Sequence, residues 1–130
     1  MSFMKKYCFA LDLKNDKKLI EEYDHYHKIV WPEIVDNIYM SGIVNMEIYR
    51  LETRLFMILE ASDSFSIEEK KKMDLMNQKV QEWETLMLKY QEQLPWAKPG
   101  EKWVLMENIF SLEEHSKGLR INSEAKLSDN

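Results

Sequence analysis

From Lys5 to Leu13 the chain alternates: Tyr7, Phe9, Leu11 and Leu13 fall on one side, Cys8, Ala10 and Asp12 on the other. A period of two predicts a strand. After Asn15-Asp16 the period lengthens. Ile20, Tyr23, His27, Trp31, Ile34 and Ile38 recur every three or four residues, the stripe of a helix laid on a core. Asp16 is placed to cap that helix. Pro32 cannot continue the hydrogen-bond ladder of a preceding turn but suits the first turn of a new one. The pattern therefore predicts a break near Val30 and Trp31 and a second helix from Pro32 to about Met40. Gly42 is its stop signal, because glycine accepts the left-handed conformation that ends helices.

Alternation returns at 44–51, with Met46 and Ile48 on one face and Asn45, Glu47 and Tyr49 on the other. Glu52-Thr53 reads as a tight turn. Residues 54–61 then read as a strand that is apolar on both faces. A Ser/Asp/Ser cluster opens a helical stretch at 64–76, and Asn77 interrupts it. Residues 78–92 carry a second stripe of Val80, Trp83, Leu86, Met87 and Tyr90. Pro95, Pro99 and Gly100 end helix formation. Residues 102–110 form the fourth expected strand, again apolar on both faces. The polar stretch from Ser111 to Asn130 is expected to be flexible or loosely packed.

The resulting order, strand-helix-strand-strand-helix-strand, is the ferredoxin-like α+β arrangement: an antiparallel sheet with both helices on one face. Residues 1–110 are expected to form that one domain, and 111–130 a tail. Two strands with two apolar faces need cover on the side the helices leave bare. A homodimer whose sheets pack face to face, a dimeric α/β barrel, is the expected solution.

Composition narrows the function. The chain has 130 residues with a net charge of −5, and it has no basic patch, which argues against nucleic acid. The apolar run after Lys5 and Lys6 ends at Asp12, too short for a signal peptide, and no stretch reaches membrane-spanning length. A cytoplasmic protein is expected. Cys8 is the single cysteine and sits within a strand pattern, as a buried inert thiol does. Glycine-rich phosphate loops, metal-spaced Cys/His clusters and hydrolase triads are all missing. Neither metal nor cofactor is expected.

The remaining chemistry lies between Tyr23 and Glu33. This segment holds two of the three histidines. His27 falls on the apolar stripe with Tyr23 one turn below it; His25 lies on the opposite side and should face solvent. A histidine on an apolar stripe is either a core residue or a group facing a ligand. Tryptophans stand at 31, 83, 96 and 103. Aromatic walls with a few polar groups suit a sugar, whose flat C–H faces stack on rings. Tyr23, His27 and Trp83 converge if the two helices lie side by side, while Trp31 and Trp103 read as structural.

The segment Glu22-Tyr23-Asp24-His25-Tyr26-His27-Lys28-Ile29-Val30-Trp31-Pro32-Glu33 resembles the Glu-Tyr-x3-His-x3-Trp-Pro-Glu signature of the L-rhamnose mutarotases. Gly42, Asn45, Ile48 and Tyr49 fit that family's following strand, and Gln81-x-Trp83 its second helix. The resemblance spans roughly 5–110. It implies a dimeric ferredoxin-like barrel that interconverts the α and β anomers of a deoxyhexose without a cofactor. It also implies His27 as the general acid, with Tyr23 and Trp83 touching the sugar. Two positions depart from the rhamnose enzymes: Glu84 replaces the second of two tandem tryptophans, and Met46 replaces an aromatic. The implied substrate is thus L-rhamnose, L-fucose or a related deoxysugar.

Anomer exchange needs a proton delivered to the ring oxygen and another removed from the anomeric hydroxyl. Histidine can do either near neutrality. Glu47, Glu84 and a water are the candidates for the partner base. Two other functions fit the same pattern. One is cofactor-free oxygenation or isomerisation of aromatic compounds in a dimeric α+β barrel; the other is non-catalytic sugar binding.

Overall fold

A computed structural model describes residues 4–116. Its elements follow the order β1 (Lys5–Leu13), α1 (Lys17–Tyr26), α2 (Pro32–Met40), β2 (Ile43–Leu51), β3 (Arg54–Ala61), α3 (Ile67–Leu75), α4 (Gln78–Leu88), β4 (Gln91–Glu92) and β5 (Val104–Leu105). The architecture is mixed α+β, with a five-stranded antiparallel sheet. β1 is central: β3 lies on one side of it and the short β4 and β5 on the other, with β2 beyond β3.

Register decides which side chains share a face. Leu11 pairs with Leu55, and Phe9 with Met57, which in turn pairs with Ile48. These residues belong to two packed clusters. Leu11, Leu13, Tyr23, Leu55, Met87 and Tyr90 form the first. Ile43, Leu59, Ala61 and Phe65 form the second, flanked by Ile38 and Met46. The opposite face carries Ala10 against Phe56 and Val104, and Cys8 against Ile58.

Local chemistry explains the boundaries. Asp16 accepts a hydrogen bond from the Leu19 amide at 3.1 Å and opens α1. Ser66 and Asn77 cap α3 and α4 in the same way. Gly42 has φ +98° and turns the chain from α2 into β2. A β-bulge between Ile43 and Asn45 follows it.

Four elements differ from expectation. α1 ends at Tyr26, one turn before the predicted break. The Pro32 ring clashes with the carbonyl four residues back as well as lacking a donor, so the preceding turn unwinds too. α3 begins at Ile67 rather than 64, behind its Ser66 cap. α4 stops at Leu88, because Gln91 and Glu92 pair with Leu13 and Asp12 and the Tyr90 carbonyl accepts from the Lys14 amide at 2.8 Å. The predicted strand at 102–110 pairs only at Val104–Leu105, extended by one bond from the Met106 amide to the Cys8 carbonyl. Beyond Met106 the apolar side chains Ile109 and Phe110 stand 92% and 62% exposed. Residues 112–116 make one helical turn. The rest of the predicted tail, 117–130, lies outside the described residues.

Candidate active site

The unwound turn ahead of Pro32 leaves His27 at the C-terminal end of α1, where its backbone is still helical (φ −84°, ψ −4°). Its Nδ1 lies 2.8 Å from the Tyr23 carbonyl oxygen. A carbonyl only accepts, so Nδ1 carries the proton and Nε2 is left to exchange one with a ligand. The four-residue spacing read from the sequence thus orients the imidazole through the backbone as well as stacking it. The Tyr23 and His27 rings have centroids 4.4 Å apart.

Trp83 reaches this pair from α4. Its ring meets His27 edge to face at 5.6 Å and Trp31 at 5.1 Å. Tyr26 closes the far side at 6.3 Å from Trp83. The predicted convergence of Tyr23, His27 and Trp83 is therefore present in space. Trp31 supports Trp83 from behind, while Trp103 lines the cavity that the other three face. His25 is exposed, as its place on the helix predicts.

That cavity has a volume of about 560 Å³ and is walled by members of both core clusters. This is room for a monosaccharide. Most of its wall is apolar. The polar groups on it are Tyr23, His27, Asn37, Tyr39, Asn45, Lys70, Lys71, Asp74, Glu84, Gln91 and Lys102. His27 and Tyr23 also face a smaller cavity of about 210 Å³, which includes Asp24, Lys28 and Arg50. There Arg50 grips Asp24 with two bonds, of 3.0 and 2.6 Å, tying α1 to β2.

Burial raises the Tyr23 phenol to about 12; the nearby Asp24 charge adds to this, and a hydrogen bond from Gln91 opposes it. Tyr23 is therefore a neutral hydroxyl at physiological pH. Of the carboxylates considered as partner base, Glu84 lines the main cavity, with its Oε2 3.9 Å from Lys102 Nζ. Glu47 does not line it. Strand alternation turns Glu47 to the other face of β2, where it accepts from the Tyr49 hydroxyl at 2.5 Å.

Sequence reasoning passed over Asn37 and Gln91. Asn37 lies three residues after Ile34 and is 3% exposed, so an amide on a core-facing stripe was the available signal. Gln91 sits in what read as the end of a helix, and only the β4 pairing places it. Among the described residues, no group of three or more His, Cys, Asp and Glu side chains is arranged to hold a metal ion. No helix there is long and apolar enough to cross a membrane.

Comparison with known proteins identifies the family. A family profile described as L-rhamnose mutarotase matches residues 6–112. An L-fucose mutarotase of Xanthomonas campestris pv. campestris is 37% identical over 113 residues, covering 85% of this chain and 90% of that protein. A protein of Dictyostelium discoideum is 41% identical over 113 residues, covering 84% and 90%. The crystal structure of an L-rhamnose mutarotase from Formosa agariphila superposes with a TM-score of 0.62 at 18% identity, over 83% of this chain and 98% of that one, a likeness of fold. With a profile match over most of its length and a relative of this identity, the chain belongs to the L-rhamnose mutarotase family of carbohydrate isomerases.

Proposed function

We propose that this mutarotase opens and recloses the ring of L-fucose or a closely related deoxyhexose, with His27 as the proton-transfer group. The single observation that carries the role of His27 is the 2.8 Å contact of its Nδ1 with the Tyr23 carbonyl, at a residue that lines the cavity. Nδ1 is committed to the Tyr23 carbonyl, so Nε2 remains at the edge of an aromatic-walled cavity. In one direction the imidazolium form of His27, with Nδ1–H still on the Tyr23 carbonyl, gives its Nε2 proton to the ring oxygen and becomes the neutral Nδ1–H imidazole, while a base takes the proton of the anomeric hydroxyl. The C1–O5 bond breaks and an aldehyde forms. Rotation about C1–C2 and the reverse transfers close the other anomer, so no net proton is gained or lost. Glu84 is the carboxylate best placed to be the base, since it shares the cavity wall with His27 and Trp83. Tyr23, held neutral by burial, donates to the sugar. Acid–base catalysis contributes ~10²–10⁴-fold, which suits a reaction that already proceeds unaided in water.

L-Fucose is preferred over L-rhamnose because an L-fucose mutarotase is the 37%-identical relative and because Met46 and Glu84 depart from the rhamnose pattern at the cavity wall. A homodimer of ferredoxin-like units belongs to the same proposal. The strand order β2-β3-β1 followed by β5 is the ferredoxin-like one. Cys8, Ala10, Phe56 and Ile58 form an apolar stripe on the face away from the helices. A second copy of that face is its natural cover.

Saturation-transfer NMR on equilibrated L-fucose and L-rhamnose tests the activity. Faster anomer exchange, greater for L-fucose, is expected. Exchange at the uncatalysed rate with both sugars overturns the proposal. Sedimentation of the purified chain as a monomer at micromolar concentration overturns the dimer alone.

A further inference from the structure

Asn37 Nδ2 is a buried donor with no hydrogen-bond partner among the described residues. It is buried on α2, 3% exposed, and it lines the main cavity. Its orientation is determined by its neighbour: Lys70 Nζ donates to Asn37 Oδ1 at 3.2 Å, and an ammonium requires an acceptor. Nδ2 is therefore the free end, and it finds no hydrogen-bond partner among the described residues. Lys70 is itself held between both Asp74 oxygens at 3.0 Å each. The Asp74 carbonyl takes a bond from Gln81 on α4 at 2.9 Å. Three helices thus fix one amide in one pose. Such a network carries no benefit for packing that an apolar residue at position 37 would lack, whereas buried donors are normally satisfied.

A second unsatisfied atom lies on the same cavity. Gln91 Oε1 is buried without a partner among the described residues, while the amide of that side chain lies against the Tyr23 hydroxyl. One wall therefore offers a donor fixed by Lys70 and another the unpartnered end of the Gln91 amide, in a cavity that also presents His27. Matched donor and acceptor atoms are what discriminate one ring hydroxyl pattern from another.

Resting on the mutarotase reading above, we infer that Asn37 and Gln91 are the specificity-determining pair of the site. Asn37 Nδ2 donates to one ring hydroxyl of the sugar, and Gln91 Oε1 accepts from another. Lys70 and Asp74 are positioning residues that hold Asn37.

The test measures kcat and KM for anomer exchange with whichever of L-fucose and L-rhamnose is turned over faster. The same sugar is then used with each ring hydroxyl other than the anomeric one replaced in turn by hydrogen. Asn37→Asp keeps the shape and the acceptor for Lys70 but offers no donor; Asn37→Leu removes both. Either variant should raise KM for the parent sugar about 10- to 100-fold with kcat little changed. On one deoxy analogue, the one lacking the hydroxyl that Asn37 binds, variant and wild type should match. Lys70→Met should show a smaller rise that vanishes on that same analogue. If Asn37→Leu does not fold, Asn37→Asp decides alone. An Asn37→Asp variant with wild-type KM, or one weakened equally on every analogue, overturns the inference while the mutarotase reading stands. Wild-type protein inert toward every sugar overturns both.

Discussion

Tyr23→Phe separates what the phenol does for the fold from what it does for the site. Tyr23 is 3% exposed in the cluster between α1, α4 and the sheet. Burial is the main reason its pKa stands at about 12 against 10.0 for a free side chain. Burial penalises the phenolate, so the folded chain keeps a proton that the unfolded chain releases about two pH units earlier. The raised group leaves stability unaffected below about pH 10; it costs ~1.4 kcal/mol per pH unit above that, approaching ~2.7 kcal/mol beyond about pH 12. Phenylalanine has no such proton to lose. At about pH 8 the variant should equal the wild type or fall below it by ~0.5–1.5 kcal/mol, the worth of the lost hydrogen bond. By about pH 11 it should have gained ~1.4 kcal/mol relative to the wild type. Urea denaturation of both proteins at the two pH values measures this, and the other tyrosines and lysines cancel in the difference. A stability gap that is the same at both pH values refutes the argument that burial raises this phenol above its ordinary range.

Three further outcomes are expected. His27→Ala should slow anomer exchange ~10²–10⁴-fold while costing only ~0.5–1.5 kcal/mol for its bond to the Tyr23 carbonyl; NMR exchange and a thermal melt on the same sample separate the two effects, and near-wild-type exchange removes His27 from its role. Leu55→Ala, at a side chain 1% exposed beneath Tyr23 and Met87, should cost ~2–5 kcal/mol in urea denaturation. Gly42→Ala forces a Cβ onto a residue at φ +98°, with Ser62 Oγ 3.2 Å away. A loss of at least ~1–2 kcal/mol is expected, and a neutral result shows that the α2–β2 turn rearranges freely.

Much of this architecture is local, and local order is legible in neighbouring residues. The two-residue period of Lys5–Leu13 and the doubly apolar run of Arg54–Ala61 became the paired strands β1 and β3. Asp16 and Asn77 opened helices and Gly42 closed one, where their chemistry requires. The four-residue step from Tyr23 to His27 placed one ring over the other because a helix repeats at that interval. The family signature lies in the same stretch, so the identity of the proton-transfer candidate could be read before any fold was known.

Other features depend on residues far apart in the chain. Gln91 left the helical pattern because β1 offered its backbone a partner. Glu84 and Glu47 were equal candidates until the register of β2 turned one of them to the opposite face of the sheet. Trp103 became a cavity wall only when β5 paired with Ala10. Asn37 acquired its orientation from Lys70, thirty-three residues away. Periodicity along a chain tells which side of an element is buried. What that side meets is decided by how the elements pack, and the donors and acceptors of this cavity come from six of them and from the segment ahead of β5.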